Sequence, residues 1–475
     1  MASRHPLFYC LVFCTSILLS SCSIGDYIPW LKSAPIETIS GEVKGITEDI
    51  TIERGSIMGV KTNAMDLDAE LKGNEKKERA EILIKRADYL SNNNEYSEAA
   101  GLYERVLRLF PSAEIERKLA HIAFRAKKFQ RSSDLYKKYA NDLYQSEKEE
   151  FLYALRYTGD GEFQRRLTTM DIPENMRQAF QVSWTCEYEF ISCEKAIRDY
   201  PHSYGPLVDL KNALKNYEAV GTKDASYKDA LLIGAFYKNK DYTTAIKIGE
   251  TVLRQKPDYR PILKIVGFSA FMTNQYERAQ GILTKYKKLE PKDAEADFIL
   301  GLIQFEKQDY EISNIYFNKA VLGGYKPKTV VERKLAYNYY VLGLYKNMFQ
   351  VLGYLVLEND ATEADIINAI YLALIHEENR NADEWIKLGK QKYQSSDSIL
   401  ALEAWYLRIT GRKSEAQIIV DSILNKNNNV IALVQGGILA YESGYKEKAK
   451  TLFLQAKTID AGGTWAETID EYLKK

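Results

Sequence analysis

The chain has 475 residues, 45% of them hydrophobic, and carries 65 Lys and Arg residues against 65 Asp and Glu residues. A balanced charge provides no basic surface for nucleic acid or for an anionic membrane surface, so neither is expected as a partner.

The first 22 residues have the pattern of an export signal. After a short basic start, residues 7–19 form an apolar run, below the roughly 18 to 20 residues needed to cross a membrane. The string Leu19-Ser20-Ser21-Cys22 resembles the bacterial lipobox, which is cleaved before its cysteine. The resemblance implies a lipoprotein signal peptide at residues 1–21 and acyl chains such as palmitate on Cys22. The alternative is an ordinary secretory signal cut near Ser21, with Cys22 an unmodified thiol.

A lipid anchor at Cys22 would decide where the protein works. Several acyl chains on one residue hold a protein stably on a membrane, whereas a single chain binds only marginally. Ser23 stands where an aspartate would favour retention in the inner membrane. We therefore expect the outer membrane, on its periplasmic face, if the organism has one, and otherwise the outer face of the cytoplasmic membrane.

Residues 22–74 differ in pattern from the rest of the chain. Within residues 36–60, glycines recur among spaced apolar residues, which favours short strands or extended chain over helix. We predict an irregular or β-like segment that tethers the folded body to the membrane. The alternative is that part of it docks on that body.

From residue 75 onward the chain is repetitive. Residues 96–111 (YSEAAGLYERVLRLFP), 242–257 (YTTAIKIGETVLRQKP) and 276–291 (YERAQGILTKYKKLEP) share a tyrosine, an alanine three residues later and a proline twelve after that. This spacing resembles the tetratricopeptide repeat, a 34-residue helix-turn-helix with small residues at positions 8 and 20. Position 20 then falls at Ala99, Ser132, Ala245, Ala279, Ser313, Met348, Ala382, Ala416 and Ala449.

The resemblance implies an all-α, superhelical solenoid of about eleven helix pairs. Small side chains at positions 8 and 20 would allow the two helices of each pair to cross closely. We assign residues 75–147 to N-terminal repeat pairs, 148–225 to two degenerate helical pairs and 226–463 to a regular array. Residues 464–475 are expected to form the polar helix that closes the open end of a stacked array.

Two cysteines remain beyond Cys22, too few for a disulfide scaffold. In one continuous helix the Cα atoms of Cys186 and Cys193 would lie about 10 Å apart, too far for a bond. If the chain turns between them, a disulfide can join two helices. The sequence leaves both outcomes open.

The sequence favours a non-catalytic protein. The histidines beyond the signal, His121, His202 and His376, are too widely spaced to meet in an array where each repeat touches only its neighbours. The motifs of zinc proteases, nucleophile elbows, phosphate loops and paired CxxC sites are all missing from the sequence. We therefore expect no enzyme activity, no cofactor, no metal site and no small-molecule substrate.

Binding is the remaining function. In tetratricopeptide proteins that hold peptides, the first helix of each pair lines a concave face, and the resemblance implies a ladder of aromatic and basic residues there. The predicted groove consists of Tyr237, Lys264, Phe268, Phe271, Phe298, Phe305, Arg333, Tyr337, Tyr340, Tyr371, Trp405, Arg408 and Tyr441. A long exposed strip of this kind indicates a partner segment. The alternative is that the rings bury one another between adjacent helices.

Two functions follow from the predicted groove. The first is a lipid-anchored adaptor for protein partners of an envelope assembly, as the family resemblance implies for outer-membrane assembly, pilus or secretion machinery, or peptidoglycan enzymes. The second is a ligand-capture lipoprotein that holds glycan or another extended polymer in the same groove. Aromatic residues alone do not discriminate between them.

Overall fold

The computed structural model describes residues 73–92, 96–201, 205–221, 223–460 and 464–474. These residues form 24 α-helices and one 3-10 helix, and no strand occurs among them. The all-α prediction is therefore confirmed for the described part of the chain. Cys22 and the predicted tether up to residue 72 lie outside it. No helix in the described ranges combines the length and apolar character needed to span a membrane.

The helices follow one another with short connections. Their bounds are α1 Asn74–Asn92, α2 Tyr96–Leu109, α3 Ala113–Arg125, α4 Phe129–Lys137, α5 Gln145–Thr158, α6 Glu162–Thr169, α7 Glu174–Tyr188, a 3-10 helix Phe190–Ser192, α8 Cys193–Asp199, α9 Gly205–Val220, α10 Ala225–Lys238, α11 Tyr242–Gln255, α12 Arg260–Met272, α13 Tyr276–Leu289, α14 Ala294–Glu306, α15 Tyr310–Leu322, α16 Lys328–Val341, α17 Tyr345–Leu355, α18 Glu363–Ile375, α19 Asn379–Lys392, α20 Asp397–Ile409, α21 Lys413–Leu424, α22 Val430–Glu442, α23 Lys446–Ile459 and α24 Ala466–Lys474.

Contacts divide the described chain into two compact units. Unit I contains residues 161–290, hence α6 to α13. Unit II contains residues 73–160 together with 291–474, hence α1 to α5 and α14 to α24. Within unit II the two parts of the chain touch, because the Arg79 guanidinium of α1 donates to the Thr458 carbonyl oxygen near the end of α23, at 2.9 Å.

Helices within a pair meet at the small positions that the sequence predicted. All nine residues assigned to position 20 are buried, with at most 1% of their surface exposed. Ser132 and Ser313 also bond across the pair, each hydroxyl donating to a carbonyl oxygen twelve residues earlier, at 2.8 and 2.9 Å. The position-20 prediction is confirmed, including for Met348, which is buried despite its size.

Two glycines show how closely the paired helices approach. A Cβ atom on Gly301 would lie 2.5 Å from Cδ1 of Phe317, and one on Gly437 would lie 2.7 Å from Cε1 of Phe453. Both distances are shorter than side-chain atoms tolerate. The aromatic ring of the second helix therefore fills the space that a side chain on the first helix would need.

The turn inside each pair repeats the same backbone conformation. In eight pairs the residue five places before position 20 has a positive φ, between 59° and 87°. The eight residues are Lys127, Lys240, Asn274, Gln308, Gly343, Glu377, Gly411 and Gly444. Glycine and asparagine adopt this left-handed conformation most readily, yet four of the eight are neither. Packing of the paired helices therefore holds the turn in place where the local sequence does not favour it.

The region without repeat register differs from the prediction. The sequence predicts two helical pairs, hence four helices, in residues 148–225, but five α-helices, α5 to α9, lie within residues 145–220. The additional helix α9 buries Leu207, Leu210 and Leu214 along one face. Cys186 in α7 and Cys193 at the start of α8 are joined by a disulfide across the 3-10 turn, and both are buried. The turn brings their Cα atoms to 4.3 Å.

Candidate partner-binding face

Three predicted groove residues line one cavity in unit II. Tyr371 of α18, Trp405 of α20 and Arg408 of α20 surround a half-open space of about 380 Å³. Tyr371 and Trp405 occupy the same repeat position, 34 residues apart, so the repeat itself places their rings side by side. The other lining residues are Ile375, Gln435, Ile438, Thr464, Trp465, Glu467, Thr468 and Tyr472. We call this surface of α18, α20 and α22 the partner face.

The partner face already holds one aromatic side chain, that of Trp465. Its ring centroid lies 5.6 Å from that of Tyr371 and 5.4 Å from that of Trp405, and the last two are 5.7 Å apart. All three pairs meet edge to face, the arrangement that the ring quadrupole favours. Trp465 is 3% exposed. The three rings form the apolar wall of the cavity.

Polar groups on the other side of the cavity are only partly paired. The Arg408 guanidinium donates through Nε to Gln435 Oε1 at 3.0 Å and through Nη1 to Glu442 Oε1 at 3.1 Å. Among the described residues, Gln435 Nε2, Thr464 Oγ1 and Trp465 Nε1 are buried and have no hydrogen-bond partner. A buried donor left without an acceptor costs about 1–3 kcal/mol.

A second aromatic cluster lies on α16 to α18 of unit II. The His376 ring stands 4.2 Å from Tyr345, 5.9 Å from Phe349 and 6.4 Å from the predicted groove residue Tyr340. Burial among these rings lowers the pKa of His376, and burial likewise raises the pKa of Tyr340. The sequence alone predicts His376 to be an isolated histidine. The structure makes it part of the aromatic surface around Tyr340.

The remaining half-buried groove residues of unit II also contact other aromatic rings. Phe305 lies 5.4 Å from Tyr337, and the Lys334 ammonium group stands 3.7 Å from the Phe305 ring centre. Tyr441 lies 5.3 Å from Tyr472 of α24. The side chains of these groove residues are half-buried, and each contacts neighbouring residues of the same chain.

Phe298 and Arg333 of unit II are packing residues, and the prediction that they line an open groove is wrong for them. Tyr371 is also buried, at 3% exposed, although its ring borders the cavity. Phe298 is 1% exposed and stacks on Tyr325 at 4.3 Å between ring centroids. Arg333 is buried and forms a two-pronged ion pair with Asp365, with both N–O distances 2.7 Å. Asp365 also caps α18 together with Thr362. Arg333 therefore ties α16 to the first turn of α18.

Unit I holds the other four predicted groove residues. Phe268 and Phe271 of α12 are buried, so the groove prediction is wrong for them as well. Tyr237 and Lys264 are half-buried. The Tyr237 ring lies 5.7 Å from Tyr242, and the Lys264 ammonium group stands 5.5 Å from the Phe268 ring centre. The structure thus brings together only part of the predicted ladder.

The described ranges hold no group of three or more His, Cys, Asp or Glu residues arranged to bind a metal ion. His121 pairs through Nδ1 with Glu150 at 2.9 Å, and His202 lies outside the described residues.

Comparison with known families identifies one segment of unit II. Residues 84–147, from α1 to the start of α5, match the family model described as Tetratricopeptide repeat. This segment is similar to the tetratricopeptide repeat family. The tetratricopeptide match does not reach the partner face, whose lining residues on α18, α20 and α22 lie between residues 371 and 438.

Solved structures similar to this chain include the following three. Yeast Tom70 is 12% identical and covers 84% of this chain and 96% of its own, with a TM-score of 0.29. The APC/C hetero-tetramer Cut9-Hcn1 is 11% identical over 83% of this chain and 96% of that one, with a TM-score of 0.30. A tetratricopeptide repeat protein from Parabacteroides merdae is 14% identical over 62% and 98%, with a TM-score of 0.23. No curated protein matches the sequence.

Proposed function

We propose that this protein is a lipid-anchored, non-catalytic scaffold of the cell envelope that holds a segment of a protein partner on the partner face. The observation that carries the proposal is the position of Trp465, whose ring lies against both Tyr371 and Trp405. A surface that accepts one tryptophan from the chain itself has the shape and chemistry to accept an aromatic side chain from another protein. Aromatic residues and arginine also concentrate binding energy at protein interfaces.

The same observation favours a protein partner over the glycan alternative. The group seated on the partner face is a polypeptide side chain, and the adjoining helix α24 packs beside it. The cavity also has unpaired donors, which peptide carbonyl oxygens or sugar hydroxyls could satisfy equally well. The position of the Trp465 ring therefore supports a protein partner.

A capture experiment tests the partner face. Full-length tagged protein is crosslinked in intact envelopes and purified, and partner recovery is compared between wild type, Trp405→Ala and Tyr445→Ala. Tyr445 is 67% exposed and is not among the cavity residues, so it provides a matched aromatic control. Losing an interface hot spot of about 2 kcal/mol lowers affinity roughly 30-fold. We expect Trp405→Ala alone to lose the partner, and equal recovery with all three would refute the proposal.

The envelope location rests on Cys22 and is tested separately. Cys22→Ser should move the protein from the membrane fraction to the soluble fraction, because the acyl chains would have no attachment point. Ser23→Ala is the matched control, since it changes the neighbouring residue and leaves the cysteine in place. Persistence of Cys22→Ser in a salt-washed membrane fraction would refute lipid anchoring while leaving the partner face untested.

A further inference from the structure

The C-terminal segment, residues 464–474, is held at both ends. The backbone N–H groups of Thr464 and Trp465 donate to the Asp460 carboxylate at 3.2 and 2.8 Å, which fixes the start of the segment to the end of α23. Further along, Ile469 is fully buried, and the Tyr472 ring lies 5.2 Å from Phe453 of α23. The segment is thus fastened to α23 by α24, and the Trp465 ring contacts Tyr371 of α18 and Trp405 of α20.

The contact between the C-terminal segment and the partner face leaves hydrogen bonds unmade. Two of the three unpaired donors, Thr464 Oγ1 and Trp465 Nε1, belong to the segment, and the third, Gln435 Nε2, belongs to the face beneath it. Buried polar groups in protein interiors are nearly always paired. The fit is therefore good for the tryptophan ring and incomplete for the polar groups around it.

From this combination we propose that the C-terminal segment is an intramolecular occupant of the partner face, which a partner segment displaces when it binds. The proposal rests on the proposed function, because it names the surface on which the partner docks and the group that covers it beforehand. A competing segment can gain binding free energy over the C-terminal segment, because it can place a hydrogen-bond acceptor near Gln435 Nε2, which the C-terminal segment leaves unpaired.

The geometry also specifies the partner's chemistry. The segment that replaces residues 464–474 carries one aromatic side chain for the place between Tyr371 and Trp405, with backbone or side-chain oxygen atoms beside it. The cavity selects little for the net charge of the partner segment, because Arg408 is paired with Glu442 at 3.1 Å and the acidic residue Glu467 also lines the cavity. An aromatic ring, and not net charge, is the feature that this surface recognises.

The first experiment measures binding of a fluorescent peptide with the sequence of residues 464–475, TWAETIDEYLKK, to the full-length protein. In wild type the peptide competes with a tethered copy of itself, whose effective concentration is of millimolar order. We expect the Trp465→Ala protein to bind the peptide at least tenfold more tightly than wild type does. Adding Trp405→Ala to that variant, or Trp465→Ala to the peptide, should abolish binding.

The second experiment is read out on the wild-type protein, and a substitution in the segment is used only to assign its signal. The five tryptophans of the chain are labelled with 5-fluorotryptophan, and the Trp465 fluorine signal is assigned from a Trp465→Phe variant. Saturating unlabelled peptide should shift this signal to the position of a solvent-exposed tryptophan. This measurement decides the question if Trp465→Ala fails to fold, as judged by circular dichroism.

Three results would overturn the inference. The first is that wild type and a folded Trp465→Ala protein bind the peptide with equal affinity. The second is that saturating peptide leaves the Trp465 signal unchanged. The third is that wild type forms a dimer in which two copies exchange their C-terminal segments. The outcome is separable from that of the proposed function. Peptide displacement without any partner captured through Trp405 would refute the scaffold and leave the intramolecular occupant established.

Discussion

The buried ion pair between Arg333 and Asp365 offers a quantitative test of how the repeats are joined. Both side chains are 6% exposed, and the two N–O contacts of 2.7 Å are parallel, as in a two-pronged arginine–carboxylate pair. Asp365→Ala removes the carboxylate that accepts both of these bonds from the buried guanidinium. It also removes half of the capping box that Asp365 forms with Thr362.

The expected cost follows from these two losses. Stranding one member of a buried pair costs about 3–5 kcal/mol, and losing a helix cap costs about 1 kcal/mol more. Arg333→Met should cost less, because the Asp365 carboxylate keeps its bonds to the Thr362 N–H at 2.7 Å and to the Thr362 hydroxyl at 2.8 Å. The double variant should be more stable than Asp365→Ala, since no charge remains buried alone.

Native-state hydrogen exchange is the appropriate assay, because repeat proteins open locally and not as one unit. The combined loss of about 4–6 kcal/mol corresponds to exchange that is roughly 10³ to 10⁴ times faster in α16 and α18. Glu384→Ala is the control, since it breaks the exposed pair between Arg380 and Glu384 and should leave protection unchanged. If Asp365→Ala behaved like this control, the pair would not be desolvated and the reasoning would fail.

Two further predictions concern packing and pH. Gly301→Ala should lower the free energy of unfolding by about 1–3 kcal/mol, because its Cβ would overlap the buried Phe317 ring. Gly281→Ala is the control, since a Cβ there meets open space and should stabilise α13. Thermal unfolding of both variants checks the prediction. Burial raises the pKa of Asp229 to about 6 from 3.8, so the stability that its proton provides is lost as pH rises through 6. Asp229→Asn should therefore gain about 1–2 kcal/mol in urea unfolding at pH 8 and nothing at pH 3; equal gains would contradict the assignment.

The repeat period and its small residues were sufficient to predict where the helices pair. They follow from local spacing, because a residue that faces the partner helix in one repeat faces it in every repeat. The additional helix α9 could not be anticipated, since no repeat register exists around residues 205–220 to define it. The left-handed turn at Gln308 was also hidden, because neighbouring helices impose it against the residue's own preference.

Repeat position predicted the chemistry of the face better than its accessibility. Tyr371 and Trp405 do meet, yet Phe298, assigned to the same ladder, packs beneath Tyr325. Burial of a ring depends on the angle between successive helix pairs, which residue spacing does not specify. Trp465 was missed because the only local signal was a tryptophan in a segment expected to be polar. Its contact with Tyr371 spans 94 residues and arises only from the stacking of the repeats.

Site-specific photo-crosslinking tests the central claim most directly. The photoreactive residue p-benzoylphenylalanine replaces Ile375, a half-buried lining residue of the cavity, or Tyr445 as the exposed control. Irradiated intact envelopes should give a covalent adduct with a partner polypeptide from position 375 and none from position 445. Adducts in equal yield from both positions, or from neither, would contradict the claim that the partner face binds a protein segment.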